Sequence, residues 1–445
     1  MRVSIIGTGY VGLVTGVCLA EKGHNVVCVD VDAEKVDRVN RGIPTFYEKG
    51  LEDLLQKNLE SGIRATTDLA AAVTETEITM IAVGTPFDGN EIDLSFVKNV
   101  AREIGEALKS KPGYHLVVVK STVVPGTTDD VVLPLLESAS GKTAGEDFGV
   151  GMNPEFLTEG EAIGDFMDPD RIVLGGMDDR SIDLLGRVYL PFRGVPQLRT
   201  NNRTAEMIKY ASNALLATAL SFSNEIGNLC AAIGGIDVVD VLKGVHLSKY
   251  ISVIQPDGER HLPAIEGFLA AGCGFGGSCL PKDVKALIAH GEKHGAPMHL
   301  LDAVIRINKQ QHMKVIGLLK KHFPSLSGVR VGILGLAFRP DTDDMRESPA
   351  IPIILELVAG GASISAYDPV AQEQARIALG DRNIRYVRSA REAVEAAQAV
   401  ILVTRWDEFR SLPELFGRME QPPVFIDGRR LLDRDGVANY EGIGL

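Results

Sequence analysis

The sequence predicts an α/β protein with two doubly wound parallel-sheet domains joined by a central region of long helices. Three observations support this fold class. Apolar strands alternate with amphipathic helices over about the first 195 residues, which is typical of parallel sheets. A stretch with almost no helix breakers follows at 203–245. A strand and a glycine turn then recur at 328–335, which indicates a second α/β domain.

Length and composition bound the number of domains and the class of partner. A chain of 445 residues is too long for one core and suggests two or three domains. With the pattern of elements above, we expect three, at 1–198, 199–325 and 326–445. The hydrophobic content of 45% and charged content of 24% are those of an ordinary globular protein. The net charge of −13 argues against nucleic acid or an anionic membrane as a partner.

Cysteine and histidine usage predicts a reduced protein without a metal. Five cysteines in so long a chain do not form a disulfide framework, and no C-x-x-C occurs. The histidines lack zinc-ligand spacing, so we expect no metal site. The first strand begins at residue 2 and no apolar run is long enough to span a membrane, so we expect a cytoplasmic protein without a signal peptide.

The chain opens with a dinucleotide-binding pattern. An apolar strand at 2–6 runs into Gly7-Thr8-Gly9-Tyr10-Val11-Gly12 and a helix, and a second strand at 26–29 ends on Asp30. In such a Rossmann-like unit the three glycines, in order, make the tight turn, admit the pyrophosphate and let the helix pack on the strand. The acid favours NAD over NADP, because its carboxylate accepts ribose hydroxyls and repels a 2′-phosphate. A chance glycine turn is the alternative, and the flanking strands argue against it.

Further strands of this first unit are expected at 78–83, 116–120 and 148–151. Two of them end in loops of glycine, proline and hydroxyl residues, at 83–86 and 120–127. Ligands of open parallel sheets bind beyond the carboxyl ends of the strands, so both loops should face the cofactor. Ordinary turn chemistry would also account for these residue types.

The long helical stretch carries two polar residues on one face. Lys209 and Asn213 are four residues apart, so they lie one turn from each other. The surrounding helix is strongly apolar and leaves little free surface, so polar groups on it indicate a structural or functional role. A solvated surface is the alternative interpretation.

The decapeptide Gly274-Phe275-Gly276-Gly277-Ser278-Cys279-Leu280-Pro281-Lys282-Asp283 gives the strongest indication of chemistry. Its glycines let the backbone pass close to a ligand. The cation of Lys282 favours the reactive thiolate, and the carboxylate of Asp283 can orient water. These neighbours favour a covalent nucleophile over the buried structural cysteine that is the common alternative.

A second α/β unit follows the glycine turn at 328–335. A helix is expected at 348–359, and a strand at 363–367 ends on Asp368. Strands at 399–403 and 423–426 complete the unit. Two similar halves joined by helices suggest two nucleotide-shaped sites.

These residues resemble the UDP-glucose/GDP-mannose dehydrogenase family of nucleotide-sugar 6-dehydrogenases, and its UDP-glucose branch most closely. The resemblance covers essentially the whole chain and is carried by several motifs: Gly7-Thr8-Gly9-Tyr10-Val11-Gly12, Ser121-Thr122-Val123, Pro125-Gly126-Thr127, Asn153-Pro154-Glu155-Phe156-Leu157, Pro169-Asp170-Arg171-Ile172-Val173, Lys209 with Asn213, the Cys279 loop, Pro340-Asp341-Thr342-Asp343-Asp344 and Arg346-Glu347-Ser348-Pro349.

The resemblance implies oxidation of the primary alcohol at sugar C6 to a carboxylate with two NAD in succession, as in conversion of UDP-glucose to UDP-glucuronate for polysaccharide biosynthesis. It also implies an N-terminal NAD-binding domain, a C-terminal domain for the nucleotide of the substrate and a homodimer formed by the middle helices. Cys279 would carry a thiohemiacetal and then a thioester.

The resemblance also suggests roles for individual residues. The catalytic candidates are Cys279, Lys209, Asn213, Asp283, Thr122, Glu155 and Glu159. The cofactor-binding candidates are Gly7, Gly9, Tyr10, Val11, Gly12, Asp30, Lys35, Gly84, Thr85, Ser121, Thr122, Glu159, Lys282 and Arg346. The substrate-binding candidates are Glu155, Phe156, Leu157, Lys209, Asn213, Phe275, Gly276, Arg260, Phe338, Arg339 and Arg405.

The sequence departs from the family pattern before the Cys279 loop. The usual Arg-Ile-Gly is absent, and a longer segment at 249–263 stands in its place. Arg260 is a candidate to replace the missing arginine in a partner subunit's site, with a mobile surface loop as the alternative. A GDP-mannose 6-dehydrogenase or another UDP-hexose 6-dehydrogenase is the nearest rival function. A single-step 3-hydroxyacid dehydrogenase and a catalytically silent NAD-binding regulator are the more distant ones.

Overall fold

The computed structural model describes residues 1–60, 62–255, 258–380 and 382–445. The chain forms two compact units, Met1–Ser212 and Asn213–Leu445. The first unit contains a mostly parallel sheet and the second a parallel one, and long helices stand between the two sheets in chain order, which is the predicted α/β architecture. The fold class is therefore confirmed, while the division into three domains stays a prediction.

The first unit is built on an eight-stranded sheet in the order β3-β2-β1-β4-β5-β6-β7-β8. Its strands are β1 (Arg2–Ile6), β2 (Asn25–Val29), β3 (Ile63–Thr66), β4 (Ile78–Ile81), β5 (His115–Val119), β6 (Phe148–Met152), β7 (Ile172–Gly176) and β8 (Gln197–Thr200). Neighbouring strands are parallel except β6 and β7, which are antiparallel. The chain reverses direction across the sheet between β1 and β4, where a doubly wound sheet binds its ligand.

Helices cover both faces of this sheet. They are α1 (Tyr10–Glu21), α2 (Ala33–Asn40), α3 (Leu51–Asn58), α4 (Leu69–Glu75), α5 (Ser95–Leu108), α6 (Leu133–Ser140), α7 (Ala162–Met167) and α8 (Asp179–Val188). Side chains alternate across β5, so that Leu116 and Val118 join the core under α1 while Val117 and Val119 join the core under α5. Burial on both faces explains why these strands read as continuous apolar runs.

One long helix crosses from the first unit into the second. This helix, α9, runs from Asn202 to Ile233, and α10 (Val238–His246) follows it. The helical stretch predicted at 203–245 is therefore interrupted, because Gly234 and Gly235 both adopt positive φ angles of 77° and 73°. A two-stranded hairpin, β9 (Val253–Ile254) and β10 (Arg260–His261), precedes the helices α11 (Leu280–Lys293) and α12 (His299–His322).

The second unit has a six-stranded parallel sheet in the order β13-β12-β11-β14-β15-β16, which repeats the winding of the first sheet. Its strands are β11 (Arg330–Leu334), β12 (Ser363–Tyr367), β13 (Ile384–Tyr386), β14 (Ala399–Leu402), β15 (Val424–Asp427) and β16 (Tyr440–Gly442). Its helices are α13 (Ala350–Ala359), α14 (Gln372–Leu379), α15 (Ala390–Glu395) and α16 (Leu412–Phe416). One core joins this sheet to side chains of α9, α10 and α12, including Cys230, Val238 and Val315.

Sequence reasoning missed the hairpin strands β9 and β10 and, in the two sheets, β3, β7, β8, β13 and β16. β8 is largely exposed, β13 is largely half-buried, and neither contains an apolar run, so period and composition could not identify them. Within the described residues, no helix is both long enough and apolar enough to cross a membrane.

Candidate active site

The glycine turn after β1 has the geometry that a dinucleotide needs. Gly7 has a φ of 101°, and a Cβ there would lie 2.8 Å from the carbonyl oxygen of Ala82. A Cβ on Gly12 would lie 1.9 Å from the carbonyl oxygen of Gly7. Gly9 caps α1, and no atom lies within 4 Å of its Cβ position. The open space at a helix N-terminus therefore fits the pyrophosphate of NAD.

Asp30 stands at the end of β2 as predicted. Its Oδ2 accepts hydrogen bonds from Thr8 N at 2.9 Å and Thr8 Oγ1 at 2.6 Å, and its Oδ1 accepts one from Asp32 N. Burial opposes ionisation, but the hydrogen bonds from Thr8 outweigh it and lower the pKa of Asp30. Lys35, another cofactor candidate, lies on the first turn of α2 and its charge acts in the same direction. Asp30 is thus an anion beside the glycine turn, as recognition of ribose hydroxyls requires.

The loops after β4 and β5 are brought together. Ser121 Oγ donates to the carbonyl oxygen of Val83 at 2.7 Å, and Thr85 Oγ1 donates to that of Thr122 at 2.8 Å. A Cβ on Gly84 would meet no atom within 4 Å. These cofactor candidates therefore form one continuous edge at the carboxyl ends of the strands, where the NAD of a doubly wound sheet is expected.

A buried ion pair joins the loop after β6 to α9. Lys209 Nζ lies 3.0 Å from Glu155 Oε1, and the two side chains are only 4% and 5% exposed. Glu155 Oε2 also accepts a hydrogen bond from Leu157 N at 2.7 Å. Burial raises the pKa of Glu155, but the Lys209 ammonium outweighs it and holds the pKa below its usual range. The Phe156 ring lies beneath the same ammonium, with 5.6 Å between Nζ and the ring centroid.

The turn that carries Glu159 is held by a residue that sequence reasoning missed. Glu48 is buried; its Oε2 accepts hydrogen bonds from Tyr10 Oη and Gly160 N, and its Oε1 accepts one from Ala162 N. Glu159 itself is 8% exposed. Glu48 thus ties Tyr10, at the start of α1, to the Glu159 turn. A single glutamate in the loop between α2 and α3 gave no indication of this in the sequence.

Cys279 occupies the N-terminus of α11. It caps that helix, its side chain is half-buried, and its Sγ lies 3.5 Å from Ser278 Oγ. A helix N-terminus carries partial positive charge, which favours a thiolate over a thiol. The other four cysteines are buried thiols.

The glycines of the Cys279 loop are required by close packing. A Cβ on Gly276 would lie 2.2 Å from the carbonyl oxygen of Glu347, and one on Gly277 would lie 2.7 Å from the Phe338 ring. Asn308 on α12 fixes Phe275, because its side chain accepts from Phe275 N at 2.8 Å and donates to Phe275 O at 2.9 Å. The loop is therefore rigid before the thiol, and Asn308 is a second residue that sequence reasoning missed.

Asp283 gathers two other predicted residues around it. Its side chain is 1% exposed, and its Oδ2 accepts a hydrogen bond from Asn213 Nδ2 at 2.6 Å. Its Oδ1 accepts one from Lys282 Nζ at 2.6 Å. Asp283 and Cys279 lie one turn apart on α11, so this unit holds a nucleophile, a carboxylate, an amide and an ammonium in one cluster.

The predicted arginines of the second unit are engaged in different ways. Arg346 pairs with Asp344 through Nε and Nη2, at 2.9 and 2.7 Å from Oδ2. Arg405 Nε donates to the carbonyl oxygen of Arg429 at 2.8 Å, and burial together with the neighbouring Arg429 lowers the pKa of Arg405. Arg339 lies half-buried in the loop after β11. Cofactor and substrate binding by these three residues stays a prediction.

Arg429, which sequence reasoning missed, ties the end of β14 to the Cys279 loop. Its Nε donates to the carbonyl oxygen of Val403 at 2.6 Å, and its Nη1 donates to that of Gly274 at 2.7 Å. Arg429 therefore fixes the backbone at the start of the Cys279 loop.

Arg260 lies in the hairpin that replaces the family's Arg-Ile-Gly. Its Nη1 donates to the carbonyl oxygen of Leu247 at 2.8 Å and to Ser252 Oγ at 2.6 Å. These contacts stabilise the base of the hairpin, and a role in a partner's site stays a prediction. Residues 256 and 257, which belong to the predicted segment 249–263, lie outside the described residues.

A dinucleotide-binding fold and a cysteine at a helix N-terminus are the two parts that a dehydrogenase with a covalent intermediate requires. The chain matches three descriptions of one family: the NAD binding domain over residues 1–193, the central domain over 203–310 and the UDP binding domain over 332–434. It therefore belongs to the UDP-glucose/GDP-mannose dehydrogenase family. NAD is its cofactor, and it is an NAD-dependent nucleotide-sugar 6-dehydrogenase.

Individual relatives match over their whole length. The chain is 42% identical to the UDP-glucose 6-dehydrogenase AglM of Haloferax volcanii, with 100% of both chains covered. It is 39% identical to a GDP-mannose 6-dehydrogenase of Pseudomonas putida, over 99% of this chain and 97% of the relative. The solved structure of a UDP-glucose dehydrogenase from Pyrobaculum islandicum has a TM-score of 0.89 and 39% identity, over 99% of this chain and 97% of that one.

Proposed function

We propose that the chain oxidises UDP-glucose to UDP-glucuronate through a thiohemiacetal and a thioester on Cys279. The observation that carries this proposal is the cluster around α11, where a thiol at a helix N-terminus accompanies Asp283, Asn213 and Lys282. An oxidation of an alcohol that stops at the aldehyde needs no thiol, whereas oxidation to the acid does when it proceeds through a thioester. The full-length similarity to UDP-glucose 6-dehydrogenases supports the choice of sugar.

The side chains suit the charges that arise at C6. When bound, NAD accepts one hydride in each of the two oxidations. Cys279 Sγ adds to the aldehyde carbon, and oxidation of this adduct leaves a thioester on the sulfur. Lys209 and Asn213, one turn apart on α9, stabilise the negative oxygen of the tetrahedral states.

Hydrolysis then releases the product. Asp283 and Thr122 orient the water that attacks the thioester, and Glu159 serves as its base or holds it. The C–S bond breaks, the thiolate of Cys279 is regenerated, and the sugar leaves as a carboxylate. The complete reaction consumes one alcohol, one water and two NAD and yields one carboxylate, two NADH and three protons, so atoms and electrons balance.

The stoichiometry tests this proposal. We expect two NADH for each UDP-glucose consumed, measured by absorbance together with chromatography of the sugar nucleotide. Parallel assays with GDP-mannose and UDP-N-acetylglucosamine test the choice of sugar. A ratio of one with release of aldehyde would overturn the covalent route, and faster oxidation of GDP-mannose would favour the GDP-mannose 6-dehydrogenase alternative that the similarity to the Pseudomonas putida protein supports.

We also propose that the protein is a homodimer. In the second unit, α9 exposes Leu215, Phe222 and Leu229 at 58%, 45% and 56%, and successive members are seven positions apart. Residues seven apart share one helix face, so the three side chains form an apolar stripe that a second copy would cover.

The five cysteines, all thiols, support the expected cytoplasmic location.

Charge placed on this stripe should separate the subunits. We expect the double variant Phe222→Glu and Leu229→Glu to be a monomer in light scattering at concentrations where the parent protein is a dimer, because two carboxylates would be buried unpaired. Ile377→Glu is the matched control, since Ile377 is 78% exposed on α14 away from the stripe. An unchanged mass in the double variant would refute this interface.

A further inference from the structure

Glu206 is a buried carboxylate that the proposed reaction does not use. It lies on the second turn of α9, with 0% of its surface exposed. Its Oε2 accepts a hydrogen bond from Gly126 N at 2.6 Å. Its Oε1 accepts two more, from Thr128 N at 2.8 Å and Thr128 Oγ1 at 2.7 Å. All three donors are uncharged. The negative charge of Glu206, which is costly to bury, is therefore stabilised by hydrogen bonds from the turn that closes the loop after β5.

This loop carries cofactor and catalytic candidates between two fixed ends. Ser121 Oγ anchors its beginning on the carbonyl oxygen of Val83, and Glu206 anchors its end at 126–128. Between them, the carbonyl oxygen of Thr122 accepts from Thr85. Only three residues separate Thr122 from Gly126, so movement of the turn would displace Thr122.

The same helix is fixed to the next strand end as well. Lys209, three residues after Glu206, forms the buried pair with Glu155 at the end of β6. At the start of the helix, Asn202 Nδ2 donates to Asp129 Oδ1 at 2.7 Å. Successive turns of α9 therefore hold the loops after β5 and β6, and Glu206 is the central contact.

We propose that Glu206 is a positioning residue whose ionised carboxylate fixes the Ser121–Thr122 loop relative to the helix that carries Lys209. This inference rests on the proposed function, since it assigns Thr122 and Lys209 to one reaction. Each oxygen of Glu206 faces a backbone N–H, one from Gly126 and one from Thr128, so an amide would place its own donor against one of them and lose that hydrogen bond. Protonation keeps an oxygen on each side, but it replaces hydrogen bonds to a charged acceptor with weaker neutral ones.

The ionisation of Glu206 should make this contact depend on pH. The pKa of Glu206 is raised to about 7, and burial is the largest cause. The Asp129 carboxylate also raises this pKa, whereas the hydrogen bonds from Thr128 and Gly126 lower it. The other charged groups nearby in the described residues are already paired: Arg203 with Asp129 and Asp130, and Lys209 with Glu155. The contact therefore consists of charge-assisted hydrogen bonds above about pH 7 and of weaker neutral ones below it.

Stability should fall over the pH range in which activity rises. The folded-state pKa lies above the ordinary value of 4.5, so between these two pH values the folded chain binds a proton that the unfolded chain has lost. The free energy of unfolding therefore falls as the pH rises from about 4.5 to about 7. A residue that served folding alone would show stability and activity falling together.

The experiment compares Glu206→Gln with the parent protein from pH 6 to pH 9. In the variant we expect kcat at pH 8 to fall about 10- to 100-fold, as a displaced catalytic loop would cause. The KM for the sugar nucleotide should change less than about threefold, and the melting temperature at pH 8 should be equal or higher. Amide hydrogen exchange of the 121–128 segment, corrected for the intrinsic effect of pH on exchange, should be faster than in the parent protein. The rise of kcat with pH near 7 should disappear.

Two further variants keep the inference falsifiable. Arg203→Ala is the matched control, because it breaks an exposed pair between the first turn of the same helix and Asp130. It should leave kcat unchanged at pH 9, where Glu206 stays ionised even though Arg203 also pairs with Asp129. Thr128→Val removes one donor and keeps the carboxylate, so it tests the positioning role if Glu206→Gln does not fold. We expect a lower kcat at an unchanged melting temperature. An unchanged kcat in Glu206→Gln or in Thr128→Val, or a loss of activity that only follows unfolding, would overturn the inference.

The exchange measurement separates this inference from the proposed function. If the parent protein reduces no NAD with any sugar nucleotide, the proposed function fails and the assignment of Glu206 to that reaction fails with it. Exchange of the 121–128 segment needs no substrate, so faster exchange in Glu206→Gln would still show that the carboxylate fixes the loop. Unchanged exchange alongside a normal reaction of the parent protein would overturn the positioning role alone.

Discussion

The Cys279→Ser variant should bind both NAD and sugar nucleotide but turn over on the order of 10³- to 10⁶-fold more slowly than the parent protein. A hydroxyl is a poorer nucleophile than a thiolate, and its ester is hydrolysed more slowly than a thioester. Both steps that Cys279 serves would therefore slow. Steady-state NADH production measures the loss, and mass spectrometry of the intact chain detects any sugar nucleotide trapped on the serine.

Cys273→Ser is the matched control for this variant. Cys273 lies in the same loop, but it is buried and its Sγ donates to the carbonyl oxygen of Val403. A serine hydroxyl can make the same hydrogen bond, so we expect turnover close to that of the parent protein. Turnover within tenfold of the parent in Cys279→Ser would show that this thiol is structural and would remove the covalent mechanism.

Chemical modification gives independent support for the role of Cys279. It is half-buried at a helix N-terminus, whereas Cys18, Cys28, Cys230 and Cys273 are buried. Burial also raises the pKa of Cys18 and Cys28 to about 12, which makes them unreactive. An alkylating reagent should therefore modify Cys279 first and abolish activity in proportion.

The sequence predicted those parts of the site whose residues are close together in the chain. The glycine turn with Asp30 and the Cys279 loop each lie within a few tens of residues, and their residue types restrict the chemistry to few alternatives. Five buried strands of the first sheet were also predicted, β1, β2, β4, β5 and β6, because they are apolar on both faces. The buried strand β7 was missed. Local pattern and burial therefore carried most of the fold.

Contacts between distant residues could not be predicted in this way. Asn213 and Asp283 are 70 residues apart and hydrogen-bond at 2.6 Å, and Glu48 and Gly160 are 112 residues apart. A single glutamate such as Glu206 resembles any surface acid of a helix until its burial is known. A contact between near neighbours was also missed. Arg346 was predicted to bind the cofactor, but its guanidinium pairs with Asp344, only two residues away.

Replacing Lys209 should impair both stability and reaction. Lys209→Met leaves Glu155 buried without its closest cation, and removing one member of a buried pair costs on the order of 3–5 kcal/mol. Lys120 moderates this cost: burial lowers its pKa to about 8 and the Glu155 charge raises it, so its ammonium acts on the same carboxylate. We expect kcat to fall about 10²- to 10³-fold, as loss of an oxyanion-stabilising group does.

The pH dependence of stability identifies the cause of this loss. In the parent protein the pKa of Glu155 is lowered, so its pair stabilises the fold above the ordinary carboxyl range and this contribution is lost as the pH falls through the folded pKa. In Lys209→Met burial acts against the charge and should raise the pKa of Glu155. The free energy of unfolding of the variant should then decrease as the pH rises from 5 to 8, as denaturant titrations at each pH would measure.

The double variant Lys209→Met with Glu155→Gln distinguishes a catalytic role from a structural one. A neutral pair of similar volume removes the unpaired buried charge, so stability should return to within about 1–2 kcal/mol of the parent protein. Turnover should not return, because the ammonium that stabilises the C6 oxygen is still missing. Recovery of turnover along with stability would show that Lys209 serves only to neutralise Glu155, and the oxyanion would then need stabilisation by Asn213 alone.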